Sequence, residues 1–330
     1  MLNVNHELVE TFFDYLDQAT LIIYETAKKP YLEALLLAVD YILNDEVSLN
    51  QLDETLISKL DEVYKHISDI TFNKEEIRKA FQLALLKAFK HLQLSFSEIT
   101  PDSIGIFYAY LTDLFFKNKE KISILDANVG CSNLLFSLIN NTQITFEKIY
   151  GIDVEQSYLN ISCHLANLLE YEVEYLNQNN LTKLLVPLVD LVISDLPFGE
   201  EQAINNLDLI TAKNNLTYKP YLMIENLMKY GKPGSYFIYL IPNDFFNQDN
   251  SRLIKNIILN ESYLQAIIEL PQDLFNAPKY QKSIMILQKK ASHIKVNNEI
   301  LMLSLPSFTD KEKMILAIDK INQWFKENIN

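Results

Sequence analysis

From His6 to about His91 the apolar residues recur at spacings of three and four, through Leu8, Phe12, Leu16, Ile22 and Ile23 and again over residues 32–43. That is the repeat of helices with one buried face. Pro30 separates the first two segments, residues 48–67 read as a third helix, and Asn73-Lys74-Glu75-Glu76 has the form of a capping box opening a fourth, which runs to about Leu92. A helical domain with a solvated acidic face is therefore expected over residues 1–95. Ile99-Thr100-Pro101-Asp102 breaks this run, and residues 103–116 form a further helix with Ile104, Phe107, Leu111 and Leu114 on one side.

Beyond that point the period changes. Short apolar runs of strand length lie at 122–125, 148–152, 172–176, 188–194, 235–241, 264–270 and 283–288, mostly with helical stretches between them. The pattern predicts an α/β domain over residues 96–330, built on a Rossmann-like doubly wound parallel sheet. The connection between the last two runs is too short for a crossover helix, so they are expected to pair as antiparallel neighbours, giving an antiparallel edge strand. Thr309-Asp310-Lys311-Glu312 caps a last helix through Trp324.

Composition narrows the function. Ala34 to Val39, the best apolar run, is bounded by Glu33 and Asp40 and falls well short of the roughly 18 residues that span a bilayer. The amino terminus lacks the basic start and apolar middle of a signal peptide. Cys131 and Cys163 have no C-x-x-C spacing, and the five histidines show no ligand spacing, so neither a disulfide framework nor a metal site is expected. A cytoplasmic protein fits these features. The formal charge is −14, and residues 1–95 hold 9 Lys and Arg against 16 Asp and Glu, which is half of that imbalance. With two arginines in all, Arg78 and Arg252, strong autonomous binding to nucleic acid is disfavoured.

The chain turns on Lys-Ile-Ser-Ile-Leu-Asp-Ala-Asn-Val-Gly-Cys-Ser-Asn-Leu-Leu, residues 121–135. It reads as a strand stopping at Asp126, a tight turn at Gly130, and a helix from about Leu134. Gly130 lets backbone lie against a ligand, and the free N–H groups of the following helix favour an anionic group. The dinucleotide spacing G-x-G-x-x-G is absent, so NAD is disfavoured. In a doubly wound sheet, ligands sit beyond the carboxyl ends of the strands. The residues there are Asp126, Gly151-Ile152-Asp153, Asn177-Gln178-Asn179 and Ser194-Asp195-Leu196-Pro197-Phe198-Gly199. Asp153 is placed to accept both hydroxyl hydrogens of a ribose, or else to cap a helix. The fourth loop combines an acid, a carbonyl, a stiffening proline and an aromatic, the makings of a pocket for a planar amino or amide group. Taken alone, the loop is better explained by Asp195 capping a turn and Phe198 filling core.

At these residues the chain resembles the class I S-adenosylmethionine-dependent methyltransferases, and among them the N6-adenine DNA methylase family, close to the modification subunits of type I restriction systems. Thr100-Pro101 resembles the family's upstream cofactor element, and Asp126-Ala127-Asn128-Val129-Gly130-Cys131-Ser132 its Asp-Pro-x-x-Gly-x-Gly loop. Asp153 matches the ribose acid, Asn179 the acid that holds the cofactor's adenine amine, and Asp195-Leu196-Pro197-Phe198 the (Asn/Asp)-Pro-Pro-(Phe/Tyr) tetrad. Residues 221–244 resemble the next helix, turn and strand. The resemblance implies S-adenosyl-L-methionine as cofactor, held by Thr100, Pro101, Asp126, Asn128, Gly130, Ser132, Asn133, Asp153 and Asn179. It implies direct methyl transfer to a flipped adenine, with Asp195, Leu196, Pro197 and Phe198 as the catalytic wall.

Four positions depart from the family. Ala127 and Leu196 replace prolines, Ser132 replaces the second glycine, and Asn179 stands for an acid, which is expected to weaken cofactor binding. Lys279, Lys282, Lys289 and Lys290 either touch phosphate or protect a strand edge. Only about 40 residues follow Lys290, too few for a target-recognition domain, so DNA binding would call for a separate specificity partner. Two other readings stay open: a protein glutamine N-methyltransferase using the same tetrad, and a catalytically degenerate fold serving as an interaction module. In the latter the helical domain docks a protein partner or a second copy.

Overall fold

The computed structural model describes residues 4–44, 52–93, 99–294 and 299–329, and the chain divides into two compact units. The first comprises residues 1–105, 130–141 and 156–173; the second comprises 106–129, 142–155 and 174–330.

In the first unit, helices α1 (His6–Ala27), α2 (Tyr31–Leu43), α3 (Glu54–Tyr64) and α4 (Lys74–His91) follow the predicted periodicity. Val9, Phe12, Leu16, Ala19 and Ile23 form the buried stripe of α1. The opening of the predicted third helix, through residue 51, lies outside the described residues. The capping box forms as expected: the Asn73 side chain accepts from the backbone N–H groups of Glu75 and Glu76, and Glu76 accepts from the Asn73 N–H at 2.9 Å. The other Glu76 oxygen accepts from the backbone N–H of Asn5, the N-cap of α1, so one carboxylate serves two helix starts. Helix α5 (Asp102–Phe115) begins in this unit and ends in the other. Helices α6 (Asn133–Asn141) and α7 (Gln156–Leu168) complete the first unit.

The second unit holds one eight-stranded sheet: β1 (Lys121–Asp126), β2 (Thr145–Asp153), β3 (Glu174–Asn177), β4 (Val189–Asp195), β5 (Gly231–Pro242), β6 (Ser262–Glu269), β7 (Lys282–Lys289) and β8 (Leu301–Ser304), in the order 3-2-1-4-5-7-6-8. All seven predicted strands are present. The α/β class is as expected, and β6 and β7 pair antiparallel. The antiparallel strand is not at the edge, however. β7 inserts between β5 and β6, antiparallel to both, and β8 closes that side by pairing parallel with β6. β8 escapes the sequence pattern because Leu301, Met302 and Leu303 are all apolar, while Leu301 alone of the three is buried and Met302 is 74% exposed.

Helices α8 (Ile210–Lys213), α9 (Lys219–Leu227), α10 (Ser251–Glu261) and α11 (Lys311–Asn328) fill out this unit. Asp310 caps α11 by accepting from the Lys313 N–H. No helix among the described residues is long and apolar enough to cross a membrane.

Candidate active site

Parallel strands β1, β2, β3 and β4 end side by side in Asp126, Asp153, Asn177 and Asp195. Because β7 runs the other way, its first residue, Lys282, lies opposite Pro242 at the carboxyl end of β5. The same end of the sheet thus carries three acids and one lysine.

Two of the four departures from the family pattern have a simple cause. The Ala127 N–H donates to the Ile193 carbonyl at 3.1 Å, and the Leu196 N–H to the Leu240 carbonyl at 3.0 Å. A proline at either position would lack that donor, so each substitution extends the ladder between neighbouring strands by one bond. The Leu196 side chain is fully buried in the core, which leaves only its carbonyl for chemistry.

After β1, Asn128 organises the turn. Its backbone N–H donates to Asp126 Oδ1 at 3.2 Å, and its side-chain amide donates to the Asp195 carbonyl at 3.2 Å. The loop following β1 and the loop following β4 are thereby tied together. Gly151 is required beneath them, since a Cβ there would lie 2.7 Å from the Tyr175 ring and 3.3 Å from a Val129 methyl.

Asp126 is 1% exposed, and its Oδ2 is buried with no hydrogen-bond partner among the described residues. Burial is the main reason its carboxyl is pushed up to about 8; the Asn128 hydrogen bond opposes this, and the charges of Asp195 and Asp153 add to it. At neutral pH the side chain holds a proton and waits for a donor or a cation. Such an acceptor fits a ligand that carries an ammonium and a sulfonium, as S-adenosylmethionine does. Near it, the Tyr108 hydroxyl is also buried without a hydrogen-bond partner among the described residues, and burial, more than the neighbouring acids, keeps it protonated.

Asp153 is buried and accepts from the Glu155 N–H at 2.9 Å, which turns the chain into α7. Asn179 is exposed, and its side-chain oxygen accepts from the Leu181 N–H at 2.9 Å. Its neighbour Asn180 is the buried one, donating to the Ala127 carbonyl at 2.9 Å. Pattern reading stops one residue short of it, because a run of Asn and Gln carries no periodicity to say which side chain turns inward.

Asp195 forms an ion pair with the Lys282 ammonium, which also donates to the Leu196 carbonyl at 2.8 Å. The same nitrogen lies 4.8 Å from the centre of the Phe198 ring. Phe198 is 38% exposed and meets Tyr280 edge to face, with ring centres 5.9 Å apart. Pro197, between Leu196 and Phe198, is half-buried, and Gly199 turns the chain at φ +96°. The four downstream lysines separate into two pairs. Lys289 and Lys290 donate to the carbonyls of Met228 and Leu259, whereas Lys282 enters the tetrad and Lys279 lies over the Tyr280 ring. Protection of a strand edge does not account for Lys282 and Lys289, since β7 is paired on both sides.

The remaining candidates belong to the first unit. Gly130 (φ 50°) and Ser132 (φ 61°) both take the left-handed conformation. That explains why glycine suits position 132, where the serine is strained as well as buried. The Gly130 carbonyl accepts from the Ser162 hydroxyl at 2.7 Å. Pro101 is exposed; Thr100 is buried and gives its carbonyl to the Asn133 amide at 2.5 Å. Asn133 in turn accepts from Arg78, so its side chain is engaged in holding the start of α6. Arg78, fully buried, uses all five of its donors, on Glu75, Asp102 and Asn133. This network has no signature in the sequence beyond an arginine in an otherwise apolar stripe.

Residues 96–329 match the N-6 DNA methylase family, and residues 10–89 match the YtxK N-terminal helical domain. The chain belongs to the N-6 DNA methylase family. It is 32% identical over 323 residues to the Bacillus subtilis (strain 168) protein YtxK, itself uncharacterised, covering 97% of this chain and 98% of that one. A Listeria monocytogenes protein assigned to the class I S-adenosylmethionine-dependent methyltransferases is 31% identical, with a TM-score of 0.84 over 97% of this chain and all of that one. The methyltransferase subunit of a Streptococcus thermophilus type I restriction-modification system shares the fold, with 14% identity, a TM-score of 0.64, and coverage of 97% of this chain and 87% of that one. The fold is that of the class I methyltransferases, and S-adenosyl-L-methionine is the cofactor this family membership implies.

Proposed function

We propose that this methyltransferase-family protein methylates the exocyclic N6 of adenine in DNA, acting on a base turned out of the duplex. One observation carries the reading. The carboxylate of Asp195 and the carbonyl of Leu196 already share a single primary nitrogen, that of Lys282, beside the Phe198 ring. An adenine amino group makes the same demand, two N–H donors against two acceptors.

When bound, the cofactor supplies a methyl group on a sulfonium. Asp195 and the Leu196 carbonyl accept the two amino hydrogens and draw the nitrogen lone pair out of ring conjugation toward that methyl. With the methyl group passed to the nitrogen and the cofactor left as its neutral thioether, Asp195 would take the surplus proton and release it to solvent. Phe198 stacks on the base, a contact worth roughly 1–3 kcal/mol. Pro197 stiffens the turn, and most of the acceleration comes from positioning and electrostatics. Asp126, Asn128, Asp153 and Asn179, with Thr100, Pro101, Gly130, Ser132 and Asn133 along the chain, are assigned to the cofactor. The helical domain, residues 1–95, is assigned to a protein partner or a second copy, and residues 96–330 to the methyltransferase, in a cytoplasmic setting.

The charge of −14, with one of two arginines fully buried, favours a second reading in which the pocket takes a protein glutamine amide. Tritium transfer from labelled cofactor to duplex DNA and to a panel of proteins separates the two. Asp195→Ala is expected to lower transfer by about 10²–10³-fold, the scale of losing one stabilising group, with cofactor affinity by calorimetry unchanged. A fully active variant overturns the assignment, and absence of cofactor binding by the wild type leaves only an interaction module.

A further inference from the structure

Resting on the reading of residues 195–198 as the acceptor pocket, we propose that Lys282 is its specificity residue, occupying the acceptor position until a nitrogen arrives attached to a phosphate backbone. The ammonium makes the two contacts assigned to the target nitrogen, one to Asp195 and one to the Leu196 carbonyl, and lies against the face-bearing ring, Phe198. Its side chain is 12% exposed, so it is a true occupant of the pocket.

The occupant is held by backbone. Lys282 is the first residue of β7, paired opposite Pro242, and the neighbouring Ser283 hydroxyl donates to the Asn243 side chain at 2.7 Å. The strand stays while the four-carbon stem swings. An incoming amino group therefore competes with a charge that is already paired, and the charge that leaves needs an anion to receive it. A neutral nucleoside or amide brings none. A phosphodiester chain brings several, and on that side it meets Lys279, exposed over the Tyr280 ring, as a second cation at the rim. Asp126 is the acid assigned to the cofactor; of the acids that follow β5 and the pocket wall in sequence, Asp244 accepts from the Tyr218 hydroxyl at 3.1 Å and Glu200 accepts from Thr217. Both already have donors. Lys282 thus turns an otherwise acidic pocket toward polyanionic substrates and away from neutral ones.

Calorimetry on the full chain saturated with S-adenosylhomocysteine tests this, with adenosine and the trinucleotide of deoxyadenosine as probes. Wild type is expected to bind the trinucleotide at least tenfold tighter than adenosine. Lys282→Met is expected to gain at least tenfold in adenosine affinity and to lose most of the discrimination, while Lys282→Arg, which keeps the charge, retains it. Equal adenosine affinity in wild type and Lys282→Met, including no measurable binding by either, overturns the proposal. So does wild-type binding of the two probes with equal affinity. Tritium transfer to duplex DNA by the wild type checks the underlying reading separately: discrimination that responds to Lys282 without any wild-type transfer removes DNA methylation and leaves the role of Lys282 standing.

Discussion

The helical unit and the strand end at Asp126 treat acidic side chains withdrawn from solvent in opposite ways. In the helical unit, Glu75 and Asp102 meet Arg78, Lys79, Gln82 and Asn140, so that every buried charge has partners. Burial works against the Asp102 carboxylate, but the Arg78 charge and the hydrogen bonds from Arg78 and Lys79 together outweigh it and hold Asp102 well below the usual carboxylate range. In the sheet unit, Asp190 is likewise paired, with Lys119 and Lys232, but Asp126 is more deeply buried, has no cation among the described residues, and is pushed the other way, to about 8. Between these extremes stands Asp195, whose cation is Lys282. A saturated network is scaffold, because any new ligand would have to break it. An unsatisfied buried acceptor at a strand end is a place where a ligand adds a bond without removing one.

The largest effect is expected where the scaffold is broken. Arg78→Met leaves Glu75 and Asp102 with Lys79 alone as a cation among the described residues, and loss of one member of a buried pair costs about 3–5 kcal/mol. Urea denaturation at pH 7 measures it. A loss near zero would mean that Lys79 and solvent take over, and that the helical unit is no more saturated than the strand ends.

Next comes the cofactor. Asp126→Asn keeps the shape of the side chain and removes the charge, and a hydrogen bond to a charged group is worth about 1.5–3 kcal/mol. At pH 8.5, calorimetry with S-adenosylmethionine is expected to show weaker binding by that amount. At pH 6 the wild-type carboxyl must first lose its proton, so the difference narrows. Equal affinities at both pH values would place the ligand away from Asp126.

How much of this was legible in the chain depends on whether the information was local. Strand runs, helix periods and the capping box at Asn73 are local, and they appear in the structure where the pattern puts them. The strand-end acids were legible for the same reason, since an apolar run that stops at Asp126 or Asp195 marks its own carboxyl end. Lys282 was not. Its place beside Asp195, 87 residues away, follows only from β7 being inserted against β5, a pairing that the short connection from β6 does not reveal. Arg78 was hidden differently: its partners Asp102 and Asn133 belong to segments that read separately as a helix start and a loop end. The prolines lost at 127 and 196 looked like damage, and only the sheet register shows the hydrogen bonds they make room for.

The smallest expected effect follows from the sign of the proton balance. Unfolded, Asp126 releases its proton near the ordinary carboxylate value, 3.8, whereas folded and without cofactor it keeps the proton until about 8. The folded state therefore holds the extra proton in that window, and the stability contributed by this residue falls as pH rises from about 4 to about 8, then levels off. Asp102 has the opposite sign, since its contribution is present above the usual carboxylate range and is lost as pH falls into acid. Asn at position 126 needs no proton, so Asp126→Asn is expected to match wild type at pH 4 and to exceed it at pH 8.5 in urea titrations. Saturating cofactor should erase the gain, because a cationic ligand restores a partner to the charged wild-type side chain and offers the asparagine less. If the variant matches wild type at both pH values, the Asp126 carboxylate is already satisfied in the unliganded fold, and its contrast with the paired acids disappears.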